Sequence, residues 1–229
     1  MKHTEKELQT LKEEVSQMWK LVLSQLEKAK QAFLTGDVEL AREIASREKR
    51  VDAFELKIDS DCENYIALYS PVAVDLRLVL SLIKISITLE RIGDFSESIA
   101  RYIIDSEKRI VGSGELSTLF EDLQIEKMFD ILLSMLTDSF VALESENTRI
   151  AGKILSKDNE IDKLYHNSLD ILTNYLQQNP AFIRSGLKTF LLIRKLERIG
   201  DHCSNIVEEI VFYVDAKVLK HSNSLEMKE

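Results

Sequence analysis

Six residues, Leu89-Glu90-Arg91-Ile92-Gly93-Asp94, recur letter for letter as Leu196-Glu197-Arg198-Ile199-Gly200-Asp201. An identical hexamer in each half of a chain restricts the fold to an arrangement with internal duplication. Both copies sit in strongly apolar runs, and each carries a glutamate and an aspartate four positions apart. Carboxylates in such surroundings need a partner, which can be an arginine, solvent or a metal ion.

The element that carries the hexamer follows from the scarcity of breakers. With 2 Pro and 7 Gly in 229 residues, few tight turns are available, and the chain reads as all-α. Leu8, Leu11, Val15, Met18, Trp19, Val22 and Leu26 recur at helical spacing and predict a helix from Thr4 to Phe33. Thr35-Gly36-Asp37 ends it and offers Asp37 as the cap of a second helix reaching Tyr69. Ser70-Pro71 opens a third, running to about Asp105. Inside it Ile85-Ser86-Ile87-Thr88-Leu89 alternates like a strand, but no turn bounds the alternating piece and its flanks keep helical spacing. Val111-Gly112-Ser113-Gly114 reads as a linker. Beyond it the pattern repeats: a helix with Leu119 to Phe140, a second over Lys157 to Leu176, and a third from Asn179-Pro180 to about Lys217. Two pseudo-symmetric three-helix bundles of six long helices are expected, over 1–112 and 113–220, with a loose tail over 221–229.

Charge and apolar content narrow the function classes. A net charge of -9 with dispersed acids disfavours nucleic acid as a partner. Met1 to Glu7 lacks the apolar core of a secretory signal. The most apolar window, Leu78 to Leu89, falls short of the roughly 20 residues that cross a bilayer, so any membrane association is expected to be peripheral. Cys62 and Cys203 form no C-x-x-C pair and read as core thiols of a reducing compartment.

On a helix, the Glu and Asp of each hexamer lie about 40° apart around the axis and about 6 Å along it, on one face. Pairs of the same spacing stand on each middle helix, Glu48 with Asp52 and Asp158 with Asp162. Antiparallel packing would bring the pairs face to face, and four crowded carboxylates repel unless cations neutralise them or some stay protonated. Oxygen-only ligation favours hard cations such as Fe(III), Mn(II), Mg(II) or Ca(II) over a structural zinc site. Asn205 and Glu208 continue the Asp201 face as further candidate ligands, whereas His202 reads as a surface or capping residue. The competing reading is a solvated acidic face paired with Arg91 and Arg198. Gly93 and Gly200 mark a close approach of backbone or ligand. No Glu-x-x-His, glycine-rich phosphate loop or nucleophile triad occurs, so catalysis is not expected; a metal-assisted hydrolase is the remaining enzymatic alternative.

Pro71-Val72-Ala73-Val74-Asp75-Leu76-Arg77, both hexamers and Asp201-His202-Cys203-Ser204-Asn205-Ile206 together resemble the PhoU family of phosphate-signalling regulators over nearly the whole length. The resemblance implies two three-helix bundles with iron, zinc or other metal clusters at E(D)-x-x-x-D motifs. The matching positions are Glu48/Asp52, Glu90/Asp94, Asp158/Asp162 and Glu197/Asp201. It also implies a cytoplasmic, homodimeric negative regulator that contacts a phosphate ABC transporter ATPase and a sensor histidine kinase. A relative attached to another phosphate transporter, or a metal-free helical adaptor, are the alternatives.

Overall fold

The computed structural model describes residues 2–105 and 114–219, apart from the side chains of residues 2, 3, 48 and 114–117. Its helices are α1 (Lys2–Thr35), α2 (Val38–Ser46), α3 (Glu48–Tyr69), α4 (Ala73–Asp105), α5 (Gly114–Asp122), α6 (Ile125–Glu144), α7 (Ala151–Gln178) and α8 (Ile183–Asp215), with a 3-10 turn at Pro180–Phe182 between the last two. No strand occurs among the described residues. The expected boundary at 112/113, residues 111–113 of the linker and the tail 221–229 lie outside the described residues.

Local chemistry explains where the helices differ from expectation. Asp37 caps α2 as its sequence predicts, its carboxylate accepting from the Leu40 amide at 2.9 Å. The second helix is not continuous, however. Arg47 turns out of it with its amide bonded back to the Ile44 carbonyl at 3.0 Å, which separates α2 from α3. The helix expected over Leu119 to Phe140 is likewise two, because Gln124 adopts φ 51 between α5 and α6. Pro71 precedes α4 rather than entering its first turn, and Pro180 opens the 3-10 turn before α8. The alternating stretch is helical. Ser86 and Thr88 donate to the carbonyls of Ile83 and Lys84, so their hydroxyls are satisfied within α4.

Each half packs three helical arms, with α1, α2/α3 and α4 in the first and α6, α7 and α8 in the second. The two hexamer helices, α4 and α8, run antiparallel at the centre. Phe95 stacks on His202 at 5.6 Å, Tyr102 hydrogen-bonds Thr189 at 3.1 Å, and Ser81 donates to the Glu209 carbonyl at 3.2 Å. The outer arms meet as well: Trp19, fully buried, donates its indole N–H to the Leu136 carbonyl at 3.1 Å. Phe33 packs against Phe120 and Phe129. A single apolar core therefore runs through both halves, each buried Leu, Ile or Phe contributing about 1.5–3 kcal/mol. Cys62 and Cys203 are free and buried, as their setting in the sequence suggests, and burial pushes the Cys62 thiol up to about 12.

Candidate metal centre

Helix register brings three acids together in each half. In the second, Asp158 and Asp162 of α7 and Asp201 of α8 each place a carboxylate oxygen within 4.8 Å of the others. Asp158 is held tightly. Its Oδ2 accepts from the Ser204 hydroxyl at 2.7 Å, while its Oδ1 is buried with no hydrogen-bond partner. Gly200 makes the room, since a Cβ there would stand 2.7 Å from Asp158 Oδ1. The motif glycine is thus a cradle for a carboxylate of the neighbouring helix.

In the first half the three oxygens come from Asp52 of α3 and from Glu90 and Asp94 of α4, again within 4.8 Å. The Glu48 side chain lies outside the described residues. Gly93 is less crowded than Gly200, its nearest neighbour to a Cβ being Val51 Cγ1 at 3.2 Å.

Electrostatics separates these acids from ordinary surface pairs. Burial, then the charges of Asp94 and Asp52, push Glu90 up to about 7. Burial likewise pushes Asp158 up to about 6, with Asp201 and Asp162 adding to it and the Ser204 hydroxyl opposing. Asp94 is raised by burial and by Asp52. Glu197 and Asp201 are raised by burial and by the carboxylates around them, with Arg194 opposing at Glu197 and Arg198 at Asp201. Carboxylates crowded without a cation show this upward pattern.

Arginine acts on these acids without pairing to them directly, Arg198 partly offsetting the rise at Asp201. Among the described residues neither Arg91 nor Arg198 forms an ion pair with the clusters, and Arg198 instead lies over the Phe95 ring at 4.8 Å. Glu197 and Glu208 stand on α8 outside the group of three. Asn205, on the same helix, is exposed. His202 is not on the surface: it is 7% exposed, packed in the α4/α8 crossing, and held neutral with its pKa near 4 by burial and by Arg91 and Arg198. Its spacing from Asp201, one residue on, turns it away from the acids.

Three neighbours escaped the sequence reading. Ser204, one turn beyond Asp201, fits the helical period and was legible as a hydrogen-bond donor. Glu55, raised by burial, Asp59 and Asp52, follows Asp52 by three residues. Gln25 sits in the core stripe of α1, 2% exposed, and only its polarity at an apolar position signalled it.

The donor set fits a hard cation. It is oxygen-only, it contains an orphaned buried carboxylate oxygen, and its members are spaced for a shared ion. The PhoU domain family matches residues 15–103 and again residues 125–210, one match around each cluster. The chain belongs to the PhoU family. Among its relatives, the phosphate-specific transport system accessory protein PhoU homolog of Aquifex aeolicus is 34% identical over 224 residues, covering 98% of both chains. PhoU of Escherichia coli K12 is 32% identical over 224 residues, covering 96% of this chain and 89% of that protein. The fold agrees with the crystal structure of PhoU from Pseudomonas aeruginosa at a TM-score of 0.85, with 28% identity over 93% of this chain and 99% of that one. The phosphate transport system regulatory protein PhoU from Streptococcus pneumoniae gives 0.81, with 26% identity over 95% and 99%.

Proposed function

We propose that this PhoU-family chain is a cytoplasmic negative regulator of phosphate uptake and phosphate-starvation signalling. It acts by contact, as a homodimer, with the ATPase of a phosphate ABC transporter and with a sensor histidine kinase. The observation that carries this reading is the nearly end-to-end match to proteins named phosphate-specific transport system accessory protein. No helix among the described residues is long and apolar enough to cross a membrane, which fits a partner that docks on a transporter.

Asp52, Glu90 and Asp94 would hold one cation site, and Asp158, Asp162 and Asp201 the other. A bound Fe, Mn, Mg, Ca or Zn ion would neutralise the crowded acids. The residues themselves would then tie α3 to α4 and α7 to α8, fixing the faces offered to partners. Regulation further requires that a partner bind one state of those faces better than another.

The test is affinity purification of the tagged full-length chain from phosphate-replete cells of its source, with partners identified by mass spectrometry. Recovery of a phosphate-transporter ATPase or a sensor kinase is expected. Recovery of neither would overturn the regulatory reading, and recovery of a sodium–phosphate type transporter would redirect it.

A further inference from the structure

The two hexamer glycines face different neighbours, and the difference points to a residue outside the acidic motifs. Against Gly200 the nearest oxygen is Asp158 Oδ1, buried and without a partner. Against Gly93 it is Gln25 Oε1, which stands 3.4 Å from where a Cβ would lie. That carbonyl oxygen is also buried and, among the described residues, accepts no hydrogen bond. Gly93 itself lies between Glu90 and Asp94, two of the three acids of the first cluster.

Packing alone does not call for an amide at Gln25. The buried stripe of α1, with Val15, Met18, Trp19, Val22, Gln25 and Leu26, is repeated on α6 with the same spacing. The position equivalent to Gln25 is Met135, fully buried in the same helical register. An apolar side chain therefore serves the fold at this place, and the first half departs from it with an amide. Buried polar groups in folded proteins are satisfied by a partner. A buried carbonyl oxygen without a hydrogen bond, lying against the glycine that precedes Asp94 on α4, has the chemistry of a hard-cation ligand.

We propose that Gln25 supplies a neutral carbonyl ligand to a cation held by Asp52, Glu90 and Asp94. The first site then draws on all three arms of its bundle, whereas the second draws only on α7 and α8. This rests on the reading of the clusters as cation sites, and adds to it a ligand that brings coordination without further negative charge.

The experiment uses the full chain carrying Asp158→Asn and Asp162→Asn, so that only the first site remains. The protein is stripped of ions and titrated with Mn(II) alone, bound and free ion being resolved by electron paramagnetic resonance. Adding Gln25→Met, which installs the α6 residue, is expected to weaken Mn(II) binding roughly 10–100-fold. The thermal midpoint of the ion-free protein should not fall, because an unpartnered buried carbonyl is removed. Gln25→Glu keeps an oxygen at the site and should retain binding. Gln25→Met titrating like its parent would overturn the proposal, as would equal weakening by Gln25→Met and Gln25→Glu. Adding Asp52→Asn and Asp94→Asn to the parent separates the two levels: if that variant still binds Mn(II) like the parent, the cluster is not a cation site at all.

Discussion

The two halves share an identical hexamer yet build different clusters around it. In the second, α7 runs unbroken through Asp158 and Asp162, so the middle helix gives two acids and α8 gives one. In the first, among the described residues, α3 gives Asp52 and α4 gives two acids, Glu90 as well as Asp94. Since the hexamers are the same, the difference originates in the helices that face them. The same motif therefore gathers Glu90 into the first group of acids and leaves Glu197 out of the second.

The strongest way to break this comparison is to remove one cluster and watch the other. Asp158→Ala with Asp201→Ala should abolish cation binding in the second half and leave the first intact. Bound metal by elemental analysis and helicity by circular dichroism are the measurements. Loss of ions from both halves in a protein that stays helical would show the clusters to be coupled rather than separate.

Exchanging the motif glycines sharpens the same contrast. Gly200→Ala puts a methyl 2.7 Å from Asp158 Oδ1, so the carboxylate must move and second-site affinity should fall by roughly 10–100-fold. Gly93→Ala meets Val51 Cγ1 at 3.2 Å, which needs a shift of only tenths of an ångström. The gain in helix propensity, about 1 kcal/mol, offsets that strain, and stability should change little. Calorimetric Mn(II) titration and thermal melts of the two variants decide it. Equal effects would mean the two glycines do the same job.

Much of this was legible in the chain. The apolar spacing located α1, α4 and α8, and Asp37 announced its cap, because these depend on local chemistry. The i,i+4 acids placed Glu90 with Asp94 and Asp158 with Asp162 on common faces for the same reason. The break at Arg47 was not legible, since no Gly or Pro marks it and the apolar stripe continues from Ile44 to Val51 across it. Gln25 and the burial of His202 depend on which helix crosses which, and helical periodicity within one segment carries no such information. The tight fit of Gly200 against Asp158 is of the same kind. Sequence repetition hinted at a close approach, but the atom approached belongs to another helix.

The smallest expected effect lies in the pH dependence of the ion-free protein, where the clusters differ in where they release protons. Glu90 is pushed up from 4.5 to about 7 and Asp158 from 3.8 to about 6, in both cases by burial first and neighbouring carboxylates second. A carboxyl whose folded pKa exceeds its unfolded value keeps its proton after the unfolded chain has lost it. The folded state then binds more protons, and stability declines as pH rises through that window. For Glu90 the decline runs from 4.5 to about 7, and for Asp158 from 3.8 to about 6; below each window both states are protonated and above it both are ionised. Glu90→Gln should therefore gain stability relative to wild type as pH rises towards 7, and Asp158→Asn should complete its gain one unit lower. Urea unfolding midpoints of the three ion-stripped proteins across this range give the differences. Saturating Mn(II) should reverse them, because the ion binds the deprotonated acids of wild type with a full set of ligands and stabilises it more than either variant, each short of one ligand. If the ion-free variants track wild type at every pH, the acids are solvated individually, and crowding cannot be what makes either cluster receptive to a cation.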